Sequence, residues 1–361
     1  MSRTINMLSS AYKVKGQGVM AVYEEQVGAV KRHLSNKFDI SENKLKCADI
    51  MHYHTVDPNY YLTRPFAKLK GCTVGYVHFI PETVDQSLKL NKLFRSVFYK
   101  YLISFYKGMD YLVTVNPCFI EKLAAYGIPK EKIVYIPNFV SDKEFYPVDK
   151  LHRAKIREKF GVDQNAFVVL GVGQVQTRKG VKEFCEIAKK MPELTFVWAG
   201  GFSFGGMTEG YKELKELVEN PPANVRFPGI IERSAMNDLY NMADVMFLPS
   251  YAELFPMAIL ESMNCEKPIL LRDLDIYEDI LFDYYLKGSN NSEFEEQLIR
   301  LSRDTAYYNN AVEMAKKGKR FYSEQNVVEM WDRFYSKISK EKPVRLRLKR
   351  HRAKKVVYNE K

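Results

Sequence analysis

At 361 residues with 46% apolar side chains, the chain is long enough for two medium domains and too apolar to be disordered by default. Its formal charge of +11 favours an anionic partner, whether nucleic acid, anionic lipid or a phosphorylated substrate. Five scattered cysteines, with no C-x-x-C pair and no Cys/His cluster at zinc spacing, read as free thiols in a reducing compartment.

In chain order, Val14-Lys15-Gly16-Gln17-Gly18-Val19 comes first, a glycine turn ahead of a helical pattern from Ala21 to Leu34. It lacks the third glycine of a dinucleotide fingerprint. Strands are predicted at Ile50–His54, Thr73–His78, Tyr111–Val115 and Ile133–Ile136, with a helix over 120–126. His54 and His78 end two of those strands, where a neutral imidazole can donate or accept a hydrogen bond. Between them and Tyr111, the segment Gln86 to Met109 holds five Lys/Arg and no acid, interleaved with leucines and aromatics. That composition fits an interfacial helix on an anionic membrane surface, with Lys89, Lys92, Arg95, Phe98 and Lys100 as contacts. The part from Leu102 to Tyr106 is expected to pack on the sheet.

The pattern pauses near residues 138–165, which places a domain linker there and divides the chain at 150/151. Beyond it, strands are predicted at Phe167–Val172, Thr195–Ala199, Val225–Phe227, Val245–Leu248 and Ile269–Leu271, with helices over 181–191 and 236–242. This β-α-β alternation implies parallel sheets covered by helices on both faces, with a second domain over 151–325. Val327 to Ile338 is amphipathic and reads as a packing helix (326–340) that crosses back to the first domain. The tail 341–361 is basic: Lys342 to Lys355 holds eight Lys/Arg and no acid. No stretch reaches the ~18 apolar residues needed to span a bilayer. The N-terminus lacks a charged-then-apolar leader pattern. A cytoplasmic protein, peripheral on the inner face of the cell membrane, is the expectation.

Two segments carry the chemistry. In Val169-Leu170-Gly171-Val172-Gly173-Gln174-Val175-Gln176-Thr177-Arg178-Lys179-Gly180, a strand and glycine turn deliver a basic pair to a helix start. Cations are unfavourable at the positive end of a helix, so Arg178 and Lys179 call for an anion, and a diphosphate suits them. In Ser250 to Glu261, Glu253 precedes a helix opened by Pro256, whose missing N–H costs nothing at the first turn. The N–H groups around Phe255, Pro256 and Met257 are then placed to bind a phosphate, with Glu261 further along the helix.

Glu253 and Glu261 form an E-x7-E motif that resembles the retaining glycosyltransferases of GT-B fold, in the large family four. The resemblance implies two Rossmann-like parallel-sheet domains facing a cleft. It implies that Glu253 contacts the donor sugar hydroxyls, Glu261 the ribose, and Arg178 and Lys179 the pyrophosphate. Gly16 and Gly18 resemble the family's glycine loop near the donor phosphates, with Gly173 in the second such loop. Phe227-Pro228-Gly229 resembles the F-x-G loop that meets the base, with Ile230 beside it. His78 matches the histidine near the reacting sugar; Asn116 and Asn138 are weaker matches. Asp273-Leu274-Asp275 is a chance D-x-D, because enzymes of this fold usually need no metal. No cofactor is therefore expected beyond a UDP-sugar donor substrate, UDP-glucose or UDP-galactose. The likeness is greatest to bacterial enzymes that glycosylate diacylglycerol glycolipids, in particular those adding a second hexose to glucosyl-diacylglycerol. That implies a glycolipid acceptor and no nucleic acid. Transfer to a polysaccharide or teichoic-acid precursor, and non-catalytic sugar-nucleotide binding, are the alternatives.

Overall fold

The computed structural model describes residues 2–10, 18–82, 92–202, 210–253 and 257–340; of residues 18–21 and 92–94 only the backbone is described. Gly16, Lys89, Phe255, Pro256 and the basic tail lie outside the described residues, as does the side chain of Lys92.

The chain forms two compact units, one from residues up to Asn138 together with the helix from Gln325, the other Phe139–Glu324. In the first, six strands form a parallel sheet in the order β2-β1-β3-β4-β5-β6: β1 Arg3–Leu8, β2 Phe38–Glu42, β3 Ile50–Tyr53, β4 Cys72–Val77, β5 Tyr111–Thr114 and β6 Ile133–Tyr135. Helices α1 Gly18–Leu34, α2 Pro58–Lys70, α3 Lys92–Lys107 and α4 Cys118–Ala125 connect them. All six residues of β4 are buried, as a central parallel strand covered on both faces requires.

The second unit repeats the plan. Helix α5 Lys150–Lys159 is followed by β7 Val168–Val172, α6 Val181–Lys190, β8 Thr195–Ala199, α7 Tyr211–Glu219, β9 Val225–Gly229, α8 Arg233–Met242, β10 Val245–Leu248, α9 Met257–Asn264, β11 Ile269–Arg272, α10 Asp275–Leu281, β12 Leu286–Gly288, α11 Asn291–Arg303 and α12 Thr305–Phe321. Its sheet order is β12-β11-β10-β7-β8-β9. Phe184 of α6 packs edge-on against Phe196 and Trp198, and stacks with Phe247, at centroid distances of 5.2, 5.1 and 5.8 Å. Asp244, just before β10, accepts from Arg153 (2.6 Å) and Arg157 (2.7 Å) of α5 and from the Val168 N–H (2.8 Å), which ties α5 to the amino ends of the two central strands. The stretch before α5 is held here too, since the N–H groups of Tyr146 and Val148 donate to Asn237 and Asn241.

The last helix, α13 Glu324–Ser339, packs on the first unit. Trp331 lies 5.4 Å from the His52 ring, Phe334 meets Tyr111 edge-on, and the Tyr335 hydroxyl is 2.9 Å from His52 Nδ1. Every strand predicted above is present, within one or two residues at each end. Three strands were not anticipated: β1, β2 and β12. β2 and β12 are edge strands, short and carrying Asp39, Glu42 and Lys287, so no apolar run announces them. Among the described residues no helix is long and apolar enough to cross a membrane.

Candidate active site

The sheet order of the second unit sets where a ligand fits. The chain leaves β7 toward β8 on one side, while β10 pairs β7 on the other. Such a reversal opens a crevice beyond the carboxyl ends of the two strands, the usual ligand position in doubly wound folds. The loops that follow β7 and β10 are the two singled out from sequence.

Glycines pack these loops tightly. A Cβ on Gly171 would come within 2.3 Å of the Trp198 ring. Gly173 has φ +151°, its N–H donates to Ala199 O (3.0 Å), and its carbonyl accepts from Trp198 Nε1 (3.1 Å). Gly200 has φ +146°, and a Cβ there would lie 1.8 Å from Gly173 O. The chain then makes one 3-10 turn over Thr177–Lys179, passes through Gly180 at φ +72° and enters α6.

That turn delivers the basic pair to the acid. Lys179 Nζ lies 2.5 Å from Glu253 Oε1, and Arg178 Nη1 lies 3.7 Å from Glu253 Oε2 and donates to Ala252 O at 3.0 Å. The Tyr251 N–H donates to Arg178 O (2.8 Å), so the two loops are stitched by backbone as well. Lys179 and Glu253 are both buried, at 7% and 8% exposure. Burial pushes the Lys179 pKa down, with Glu253 opposing and Arg178 reinforcing. Arg178 Nε and the Tyr277 hydroxyl are buried with no hydrogen-bond partner among the described residues. Tyr277 lies close enough to Glu253 and Arg178 to feel both charges, the carboxylate helping to hold its hydroxyl protonated after burial, the main cause. The site is thus a closed ion pair rimmed by donors unspent among the described residues.

Glu261, one and a half turns into the helical segment, has a separate set of partners. Tyr240 donates to its Oε2 at 2.6 Å, and Arg233 approaches its Oε1 at 3.4 Å while bridging Glu144 at 2.8 Å. Burial raises its pKa, and the Tyr240 hydrogen bond and Arg233 charge oppose this. Met257, the first residue of α9, is half-buried. Gly229 ends β9 at φ +78° with open space at its Cβ position, and Ile230 is 74% exposed beside Gly201. The structure therefore brings Arg178, Lys179 and Glu253 together and holds Glu261 in its own cage. Tyr240, Arg233 and Tyr277 were not singled out from sequence, since a tyrosine or arginine in a helix carries no spacing signal. Tyr240→Phe is expected to raise the donor KM roughly ten- to a hundredfold, because a hydrogen bond to a carboxylate is worth about 1.5–3 kcal/mol; initial-rate kinetics over donor concentration read it.

In the first unit, His52, His54, Tyr76 and His78 stack in a buried column, with centroids 4.2 Å apart for His52–His54 and 4.4 Å for Tyr76–His78. His54 and His78 line a cavity of about 390 Å³. Ser10 and Asp57 lie at its polar side, joined by a 2.6 Å hydrogen bond, and Phe79, Phe98 and Tyr101 supply aromatic walls. Both ring nitrogens of His54 and Nε2 of His78 are buried without a partner among the described residues. Gly18 starts α1. Asn138 accepts from Tyr76 (3.2 Å), and the Asn116 side chain caps the Cys118 N–H (2.9 Å). On α3, Leu102, Phe105 and Tyr106 are buried, Arg95 and Phe98 are half-buried and Lys100 is exposed. Phe98 stacks with Phe79 at 6.5 Å, so it faces the cavity wall. Asp273 is paired with Lys287 at 3.1 Å.

Burial lowers the pKa of His52 and His78 to about 3, and that of His54 well below the usual 6.5. The folded values lie under the unfolded one, so this stabilisation is complete above about pH 6.5 and is lost as pH falls toward 3. Each histidine is expected to cost up to about 1.4 kcal/mol per pH unit below that point. Urea unfolding of the wild type should show a falling midpoint between about pH 7 and pH 5.

Comparison with known proteins places this geometry. Residues 152–320 match the family model "Glycosyl transferases group 1", and residues 31–144 match "Glycosyltransferase Family 4". The chain is 45% identical over 333 residues to the alpha-galactosylglucosyldiacylglycerol synthase of Streptococcus pneumoniae, covering 92% of this chain and 89% of that one. It is 26% identical to the processive diacylglycerol alpha-glucosyltransferase of Acholeplasma laidlawii, over 77% of this chain and 81% of the relative. Among solved structures, an Anabaena protein in complex with UDP and glucose superposes with a TM-score of 0.73 at 15% identity, covering 92% of this chain and 99% of that one. The sucrose-phosphate synthase of Thermosynechococcus elongatus gives 0.74 at 15%, over 93% and 98%. With two parallel six-stranded sheets, paired loops at the switch point of the second and these relatives, the chain belongs to the group 1 and family 4 glycosyltransferases of GT-B fold.

Proposed function

We propose that this glycosyltransferase moves a hexose, with retention of configuration, from a UDP-sugar to glucosyl-diacylglycerol at a membrane surface. The name of the 45% identical relative favours galactose as that hexose. The observation that carries the donor side is the buried Lys179–Glu253 pair at the switch point, with Arg178 alongside.

The two charges satisfy each other until a donor arrives. A diphosphate is the better partner for Lys179 and Arg178, being doubly charged and able to accept from both. Its entry releases Glu253 to accept hydrogen bonds from the sugar hydroxyls, and the Tyr277 hydroxyl is a further donor within the same charge field. As the bond to the anomeric carbon breaks, negative charge grows on the departing UDP, and the fixed cations stabilise it. The acceptor hydroxyl attacks on the leaving-group side, and a donor phosphate oxygen takes its proton. Glu261, oriented by Tyr240, accepts from the ribose hydroxyls, and Ile230 lies against the base. No metal or organic cofactor has a part in this scheme.

On the acceptor side, His78 and His54 are uncharged hydrogen-bonding groups suited to a sugar head group, and the Phe79, Phe98 and Tyr101 walls suit an apolar chain. Peripheral contact with an anionic leaflet involves the basic residues of α3, Arg95 and Lys100 among them. The test is incubation of the purified protein with UDP-galactose or UDP-glucose and glucosyl-diacylglycerol in mixed micelles, with lipid extracts read by mass spectrometry. One added hexose is the expected product. Transfer only to a polysaccharide or teichoic-acid precursor contradicts the acceptor assignment.

A further inference from the structure

One surface of the first unit is used by neither the proposed donor residues nor the histidine cavity. Helix α2 presents Leu62, Phe66 and Leu69 to solvent at 68%, 67% and 59% exposure. Their i, i+4, i+7 spacing puts them on one helix face. Single exposed apolar residues are ordinary, whereas three in line form a patch that needs a cover.

The elements beside α2 extend the pattern. The loop 43–47 runs along it, since the Tyr60 hydroxyl donates to Asn43 (3.4 Å) and Lys70 Nζ donates to Cys47 O (2.5 Å). At the tip of that loop Leu45 is fully exposed between Lys44 and Lys46. On the other flank, α3 is joined through the Tyr61–Ser104 hydrogen bond (2.9 Å) and the Arg64 bond to Ser104 O (3.1 Å). The three segments 43–47, 58–70 and 92–107 contain nine Lys and Arg and not one Asp or Glu. Lys68 is drawn to Asp110, at 3.2 Å.

Charge decides what covers such a face. A second copy of the same surface would set cations against cations, and like charges across an interface cost affinity. A leaflet with anionic headgroups answers both features, taking the apolar side chains at the acyl boundary and the ammonium groups at the phosphates. We propose that α2 and the adjoining loop 43–47 form the surface by which the first unit docks on an anionic lipid bilayer, with Leu62, Phe66 and Leu69 seated at the headgroup–acyl boundary. This adds to the basic residues of α3 an apolar anchor that the sequence reading placed elsewhere. Pro58 at the start of α2 also borders the histidine cavity, so a docked α2 sets that cavity beside the lipid that carries the acceptor. This last link rests on the proposed function; the docking does not.

The test is co-sedimentation of the full chain with vesicles of phosphatidylcholine alone or mixed with phosphatidylglycerol. Wild type is expected to bind the anionic vesicles. The triple variant Leu62→Ser, Phe66→Ser, Leu69→Ser should lose roughly tenfold or more of that binding, while UDP affinity and transfer to a short-chain, water-soluble acceptor stay at the wild-type level. Replacing Lys44, Lys46 and Lys70 by Gln should weaken binding to anionic vesicles and lower its salt sensitivity. Vesicle binding by the triple variant equal to wild type overturns the proposal. So does a wild-type dimer that the triple variant dissolves without any change in vesicle binding. Loss of vesicle binding in a protein that glycosylates no lipid would leave the docking surface standing and remove the acceptor assignment.

Discussion

Glu253→Gln is expected to reduce hexosyl transfer by about a thousandfold or more, with the fold retained. The substitution keeps shape and removes charge. It leaves Lys179 buried without its counter-ion, and burial already pushes that ammonium toward deprotonation. A neutral Lys179 no longer opposes the charge that develops on UDP, and the neutral amide is a weaker acceptor for sugar hydroxyls than a carboxylate. Loss of one preorganised electrostatic contact costs about 10²–10³ in rate, and here two contacts fail together. Breaking a buried pair also costs roughly 3–5 kcal/mol of stability. Lys179→Met should therefore destabilise comparably, and the double variant should be more stable than the sum of the single losses implies. Steady-state rates, circular dichroism and thermal melts of the wild type and the three variants form one double-mutant cycle.

Gly200→Ala should lower the melting temperature of the second unit by about 10 °C, a loss of roughly 3–4 kcal/mol for a domain of this size. The Cβ would meet the Gly173 carbonyl at 1.8 Å, a backbone atom that cannot swing aside. Relief requires the loop after β7 to move, and that loop carries Arg178 and Lys179. Donor affinity should fall with stability. Gly229→Ala is the control: φ is again positive, at +78°, but nothing lies within 4 Å of the new methyl. Only the intrinsic left-handed cost of about 1 kcal/mol applies there. Calorimetry of the two variants separates collision from backbone preference.

Much of this arrangement was legible in the sequence because parallel sheets write themselves as continuous apolar runs. Val245–Leu248 and Ile269–Leu271 are buried along their whole length, so no polar residue interrupts them. The edge strands β2 and β12 hid because half their surface faces water, so charged residues are tolerated. Arg178 and Lys179 could be named in advance because a strand and glycine turn deliver them to a helix start, and Glu253 because its E-x7-E spacing to Glu261 resembles the family's motif. Their direct pairing could not, since it joins residues 74 apart. Tyr277 and Tyr240 came forward only through burial and partners. In the segment Gln86 to Met109, Leu102, Phe105 and Tyr106 are buried, as their apolar run led one to expect, whereas Phe98, expected at the membrane, turns to the cavity. The exposed stripe belongs to α2, where Pro65 and three tyrosines or threonines masked the apolar spacing of Leu62, Phe66 and Leu69.

The account depends on one pocket in the second unit holding a UDP-sugar through Lys179, Arg178 and Glu253. Isothermal titration of UDP-galactose and UDP-glucose into wild type and into Glu253→Gln and Lys179→Met, followed by lipid analysis after adding glucosyl-diacylglycerol, tests it directly. Wild type should bind one donor and add one hexose to the lipid, with Lys179→Met losing donor affinity and Glu253→Gln losing transfer. Undiminished binding and transfer by both variants would contradict it.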